Sequence, residues 1–234
     1  MSVDKQLMDW FENDKENMRY NLITKFVEQE NEIYMIGSLH GMHFQLENFS
    51  FLHLKAALEN IQPDLLLLES CQEEIEKGNI ADGPPEMLYL HLFAKELGIP
   101  VKGIDWTDLE NSKPGTTNEK RDKEIVKNII NYSKNIKKVM VVYGASHYLL
   151  NLPIFENKDF YKVELTNDEI DSIYSNLDDK FEFHKDTAKY IKIRIEEEKK
   201  LLDSDKVSSE WKERIPMLIK ELEGFVQMLQ GNLQ

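Results

Sequence analysis

The sequence predicts an α/β fold with a mostly parallel or mixed central sheet, flanked by helices and followed by a helical C-terminal extension. Up to about residue 165, short apolar runs alternate with helix-length segments, which is the pattern of strand–helix–strand units joined by right-handed crossovers. Two runs, LLLL and VMVV, lack polar alternation, as expected for central strands covered on both faces. Beyond residue 165, apolar residues recur mainly at helical spacing.

The predicted elements begin with a helix over residues 3–28, interrupted within residues 12–17. Its apolar stripe consists of Val3, Leu7, Trp10, Leu22 and Phe26. Strands are then predicted over residues 33–36, 65–68, 101–104, 139–143 and 161–165. Helices are predicted between them over residues 44–61, 85–97 and 118–133.

The C-terminal part is predicted to be helical. The segment YIKIRI, residues 190–195, would also suit a strand, but a charged EEEKK run continues it without a turn signal. A second stripe at helical spacing consists of Trp211, Ile215, Leu218, Leu222, Phe225 and Leu229. We therefore predict an α/β core with its N-terminal helix over residues 1–165, and a helical extension over residues 166–234 that packs on it as a lid or a packing arm.

Composition and charge restrict the partners. Lys and Arg number 29 against 43 Asp and Glu, giving a net charge of −14, and a chain this acidic repels phosphate backbones and anionic lipids. No run approaches the roughly 18 apolar residues of a membrane span, and the charged start does not resemble a signal peptide. We expect a cytoplasmic protein with no nucleic-acid or membrane partner. Its single cysteine, Cys71, excludes an intrachain disulfide and a Cys-rich zinc site.

Candidate ligands or acid–base groups follow four consecutive predicted strands. The first strand ends in GSLH, with His40, and the fourth ends in GASH, with His147. The second ends in Glu69 and the third in Asp105. Because ligands of open α/β sheets bind outside the carboxyl ends of the strands, we expect these four side chains at one edge of the sheet.

The two G-x-x-H segments predict a metal site. A glycine would let the backbone turn sharply off the strand, so that the histidine points back over the sheet edge. Two imidazoles and a carboxylate suit a divalent metal with an open coordination position, which could activate a water and polarise a carbonyl. The alternative is that each histidine is structural, that Glu69 supports a helix N-terminus and that Asp105 belongs to an Asx-turn.

Arg121 is a further candidate. Thr116 and Glu119 have the spacing of a capping box, and Arg121 follows on the apolar stripe of the predicted helix. An arginine in that position needs an anionic partner. This partner would be a substrate carboxylate or a developing oxyanion, or else Glu69 or Asp105 within the chain.

Three residues beside the motifs complete the candidate set. His43 lies three residues beyond His40 and could approach the same metal, cap a helix or bind substrate. Tyr143 and Tyr148 flank the second motif and would be candidate contacts if the site held an organic ligand.

The segments IYMIGSLHGMH, PDLLLLES, NEKRD and VMVVYGASHYL, in this order, resemble the Tiki/TraB family of metalloproteases. That family belongs to a broader superfamily of erythromycin esterase-like and ChaN-like proteins. The resemblance covers roughly residues 31–155. One departure is the first motif, GSLH, where the GT-type form is commoner.

The resemblance implies a metal-dependent, peptidase-like hydrolase. His40, Glu69 and His147 would hold a divalent ion such as Mn, Co or Zn, and Arg121 would belong to the catalytic site. The substrate would be a peptide or a small-molecule ester. Two alternatives stay open: a metal-free erythromycin esterase-like hydrolase, in which a histidine activates water directly, and a non-catalytic protein that binds a peptide or a haem-like ligand.

Overall fold

The structure, a computed structural model, describes residues 3–110, 119–156 and 160–231, which contain one six-stranded mixed sheet. The strands are β1 Ile23–Glu28, β2 Asn31–Ser38, β3 Leu65–Cys71, β4 Val101–Asp105, β5 Lys138–Gly144 and β6 Tyr161–Val163. They lie in the order β4-β3-β5-β2-β1-β6. This confirms the predicted α/β fold class.

The first four predicted strands run parallel to one another. β3 pairs with β4 and with β5, and β5 pairs with β2, all in parallel. β1 is antiparallel to both β2 and β6. In the parallel strand β3, residues 65–70 are all buried. Burial on both faces of the sheet explains why LLLL shows no polar alternation.

The predicted opening helix, with its interruption within residues 12–17, is wrong beyond residue 21. The helix α1 ends at Asn13, the single turn α2 follows at Met18–Asn21, and residues 23–28 form strand β1. Leu22 and Phe26 are four residues apart, a spacing that places two side chains on one face of a helix and also on one face of a strand. The β-branched residues of ITKFVE and the pairing of β1 with β2 favour the strand.

Helices cover both faces of the sheet. Gly37 approaches Tyr148 of helix α7, Ala145–Glu156, whereas the next residue, Ser38, bonds Glu86 of helix α5, Pro85–Glu96. Since consecutive strand residues point to opposite faces, α5 and α7 lie on opposite sides. Helix α3, Phe51–Ile61, packs beside α5, and helix α6, Glu119–Ser133, packs beside α7.

One predicted helix boundary differs from the structure, and a second lies at the edge of the described residues. The helix predicted from residue 44 begins as α3 at Phe51, because 3₁₀ turns occupy His40–Phe44 and Glu47–Phe49. The helix predicted over 118–133 is observed as α6 from Glu119, and Thr116 of the expected capping box lies outside the described residues. A further short helix, α4, spans Gln72–Glu76.

The part beyond residue 165 is helical, as predicted. It contains α8 Asn167–Ile173, α9 Thr187–Leu202 and α10 Ser209–Gly231, so the segment 190–195 is helix. Pro216 lies inside α10. Ile170 and Tyr174 join the main core, whereas α9 and α10 share a second apolar cluster with α5. Among the residues with described structure, no helix is long and apolar enough to cross a membrane.

Candidate functional site

The candidate site lies where the parallel strands end. β2, β3, β4 and β5 run in one direction, so the segments that follow Ser38, Glu69, Ile104 and Tyr143 meet at one edge of the sheet. The predicted residues that come together there are His40, Glu69, Asp105, Arg121 and His147.

Glu69 is at the centre of this group and is only 5% exposed. Its Oε1 lies 3.1 Å from Arg121 Nη2 and 3.6 Å from His147 Nε2. Its Oε2 accepts a hydrogen bond from the backbone N–H of Gly144, the last residue of β5. The carboxylate therefore contacts a cation, an imidazole and a backbone donor at once.

Arg121 is held by a second carboxylate. Its Nε and Nη2 donate to the two oxygens of Asp105, each at 2.8 Å. Asp105 also accepts the backbone N–H of Trp106 at 2.7 Å. Arg121 thus forms the internal pairs with Asp105 and Glu69 that the sequence left open, and the two-point bond to Asp105 fixes the plane of its guanidinium.

His147 is buried between two carboxylates. Its Nδ1 lies 2.6 Å from Asp122 Oδ1 and donates to it, which leaves Nε2 directed toward Glu69. Asp122 was missed in the sequence analysis. A signal existed, because Asp122 precedes Ile125, Val126 and Ile129 by three, four and seven residues and so lies on the buried stripe of α6.

His40 has a carboxylate partner of its own. Its Nδ1 donates to Glu86 Oε1 at 2.8 Å, and Ser38 Oγ donates to the same oxygen at 2.6 Å. Glu86 is fully buried, and its Oε2 has no hydrogen-bond partner among the described residues. Sequence reasoning missed Glu86. A glutamate in the first turn of a helix is usually a surface residue whose negative charge interacts favourably with the helix dipole.

The electrostatics of the His40–Glu86 pair favour an ion pair. Burial lowers the pKa of His40, but the hydrogen bond to Glu86 and the charges of Glu86 and Glu69 raise this pKa to about 9. Burial raises the pKa of Glu86, yet the hydrogen bond and charge of His40 bring it below the ordinary value. His40 is therefore an imidazolium at neutral pH, with about half of its side chain exposed.

The motif glycines serve a different purpose from the one predicted. Neither Gly37 nor Gly144 has a positive φ; the left-handed residue is His40 itself, at φ 52°. A Cβ at residue 144 would lie 2.9 Å from His40 Nε2 and 3.1 Å from Glu69 Oε2. A Cβ at residue 37 would lie 3.0 Å from Leu22 and from Tyr148. Both glycines permit close approach rather than a sharp turn.

His43 has both ring nitrogens engaged by the backbone. Its Nε2 accepts the N–H of Leu39 at 2.9 Å and its Nδ1 donates to the carbonyl of Phe49 at 2.5 Å. Burial lowers the pKa of His43, which agrees with a neutral ring. His43 thus stabilises the turn after β2 and presents no nitrogen to a ligand.

Tyr143 is fully buried beneath the site. Its ring packs against Tyr148 with centroids 6.3 Å apart, and its hydroxyl has no hydrogen-bond partner in the described parts of the chain. Burial raises the pKa of Tyr143 well above the ordinary value. The phenol therefore stays neutral and is closed off from solvent in this structure.

The donor set fits a divalent metal by its chemistry. Metal-binding histidines usually donate their second ring N–H to a carboxylate, and His40 and His147 both do so. Within residues 3–110, 119–156 and 160–231, no three His, Cys, Asp or Glu side chains have the spacing of a metal site. His40, His147 and Glu69 would have to move closer together to share an ion.

No known family, characterised protein or solved structure matches this chain. The resemblance to the Tiki/TraB family therefore stays a prediction that depends on the quoted motifs.

Proposed function

We propose that this chain is a metal-dependent hydrolase that cleaves peptide or ester bonds at the site formed by His40, Glu69, Arg121 and His147. The observation that carries the proposal is the orientation of the two histidines. Each histidine donates a hydrogen bond from Nδ1 to a buried carboxylate, with a donor–acceptor distance of 2.8 Å for His40 and 2.6 Å for His147. Each therefore presents Nε2 on the side where Glu69 lies.

The residues divide the work as follows. His40 and His147 would hold the ion through Nε2, and Glu69 would be a ligand or the group that accepts the proton of the attacking water. A bound divalent ion would lower the pKa of a water and polarise the scissile carbonyl. Arg121, fixed by Asp105, would stabilise negative charge that develops on the substrate oxygen.

A second candidate is a hydrolase that needs no metal. It is favoured by the pKa of about 9 for His40, because an imidazolium does not bind a metal until it loses its proton. In this version His147 Nε2 accepts the proton of the water, with Nδ1 held by Asp122. His40 and Arg121 then provide two positive charges for the oxyanion.

Elemental analysis of the purified chain separates the two versions. The chain is analysed before and after chelator treatment, with Mn, Co and Zn added back, and hydrolysis of a peptide and ester panel is followed in parallel. The metal-dependent version requires near-stoichiometric metal that disappears in His40→Ala and His147→Ala. The control is His184→Gln, a histidine paired with Glu96 away from the site. Full hydrolysis in chelator would identify the metal-free version, and no hydrolysis under any condition would contradict both.

A further inference from the structure

The C-terminal extension contacts a loop that lies between strand β3, which carries Glu69, and helix α5, which carries Glu86. This loop, residues 77–84, leads from α4 to α5. Arg194 of α9 donates through Nη1 to the carbonyls of Ala81 at 2.7 Å and Gly83 at 2.5 Å. Only 13% of the Arg194 side chain is exposed. A largely buried arginine that binds two carbonyls of one loop fixes the path of that loop.

The same loop packs against the end of β3, where Glu69 lies. Gly83 has φ 104°, and a Cβ there would lie 2.5 Å from the carbonyl oxygen of Glu69. Asp82 accepts the N–H of Cys71 at 2.7 Å through its side chain and the Ser70 hydroxyl at 2.6 Å through its carbonyl. A change in the position of the loop would therefore move the backbone of Glu69.

The loop also determines where α5 begins. Pro84 caps α5, and Glu86 lies in the first turn, three residues after Gly83. Glu86 is the partner of His40. Glu86 is less than one helical turn from Gly83. A displacement of Gly83 would therefore move Glu86, and Glu86 would in turn displace its hydrogen-bond partner His40.

Arg194 has charged neighbours that explain its burial. Its Nε lies 3.4 Å from Glu198 Oε1, and Glu198 is equally buried. Around it, Ile80 and Ala81 of the loop join Leu88 and Leu92 of α5 and the buried apolar residues of α9 and α10 in the second apolar cluster. The contact is thus part of a packed interface.

We propose that Arg194 is a positioning residue of the candidate site: it holds the loop 77–84 so that Glu86 reaches His40 and the end of β3 keeps Glu69 in place. The C-terminal helices are then part of the scaffold of the site. The relevance of this role for catalysis rests on the proposed hydrolase function, but the positioning itself can be measured without any activity.

Histidine side-chain NMR of the full chain tests the proposal. The six histidines are isotopically labelled, and the signals of His40 and His147 are assigned by single His→Gln variants. Arg194→Met with Glu198→Met removes the buried charge pair while keeping side chains of similar volume. We expect the His40 ring signals to shift and its Nδ1–H signal to broaden or vanish. The His147 signals should shift less than those of His40, because Asp122, which binds His147 Nδ1, lies on α6, which the loop does not support.

Two controls separate positioning from general loosening of the extension. Arg214→Met with Glu221→Met removes a more exposed pair on α10, and Val226→Ala weakens the second apolar cluster directly. Neither should shift His40 as Arg194→Met with Glu198→Met does. Arg194→Lys keeps the charge but cannot reproduce the guanidinium geometry, so it should give a smaller shift of the same kind.

The outcomes decide the proposal in each case. Unchanged His40 signals in a folded double variant, or an equal shift in the Val226→Ala control, would overturn it. If the double variant does not fold, Arg194→Lys carries the test, and an unshifted His40 would overturn the proposal. Where hydrolysis is measurable, kcat/KM should fall roughly 10-fold, the size typical of lost outer-shell support. A shifted His40 in a chain that hydrolyses nothing would retain the positioning role and reject the hydrolase.

Discussion

The two G-x-x-H motifs lie side by side in the sheet, yet their histidines have different surroundings. β2 and β5 pair in parallel, so Gly37 lies opposite Tyr143 and Ser38 opposite Gly144. His40 has a left-handed backbone and a side chain that is 48% exposed. His147 lies in the first turn of α7 with a side chain that is 4% exposed.

Their carboxylate partners explain the difference. Glu86 comes from α5 on one face of the sheet, and Asp122 comes from α6 on the other. The two histidines therefore approach Glu69 from opposite faces, one open to solvent and charged, the other buried. The same short motif thus gives two groups of different chemistry, because the helices that cover the two faces provide different partners.

Replacing the partner carboxylates should give the largest effects. Asp122→Asn can present its amide to His147 Nδ1 and so reverse the tautomer of a buried ring, which should lower kcat/KM or metal affinity about 100-fold. Glu86→Gln should lower them only about 10-fold, because the exposed His40 ring can be hydrated. Steady-state kinetics or metal titration measures both, with circular dichroism as the check of folding. Equal losses would contradict the difference between the motifs.

Alanine at the two motif glycines should separate stability from site geometry. Gly37→Ala places a Cβ 3.0 Å from the buried Leu22 and Tyr148, and should lower the free energy of unfolding by about 1–3 kcal/mol. Gly144→Ala meets His40 and Glu69 instead, so the half-exposed His40 can move aside. We expect a smaller loss of stability but a clear loss of metal binding or activity. Urea denaturation of both variants, compared with their metal affinity, tests whether Gly37→Ala loses more stability and Gly144→Ala loses more metal binding.

The His40–Glu86 pair should give a modest pH dependence of stability. The pKa of His40 is raised from 6.5 to about 9 on folding, so its contribution is complete below pH 6.5 and is lost as the pH rises through 9. Because the ring is half exposed, solvent screening reduces the contribution to about 1 kcal/mol.

Urea denaturation in chelator at pH 6, 7.5 and 9.5 measures this slope. His40→Gln should remove it, whereas His184→Gln, which changes the histidine paired with Glu96, should leave it unchanged. A parent chain whose stability is constant over this range would contradict the ion pair.

Several elements of the fold could be predicted from the sequence, and so could the meeting of the candidate site residues at one edge of the sheet. The strands at 65–68 and 139–143 were evident because they lack polar residues, and the helix at 85–97 agrees with α5 to within one residue. Strand β1 was not evident, since the spacing of Leu22 and Phe26 fits a helix and a strand alike. Its pairing with β2 decides the conformation.

The sequence by itself determined the fold class and the place of His40, Glu69, Asp105 and His147 at strand ends. Strands buried on both faces appear in the sequence as continuous apolar runs, and the ends of these runs mark the strand ends. Only the tertiary structure decided which carboxylate each histidine receives. Glu86 is 46 residues from His40, and Asp122 is 25 residues from His147. These pairs form when α5 and α6 pack on opposite faces of the sheet, and separations of that length leave no periodic pattern in the sequence.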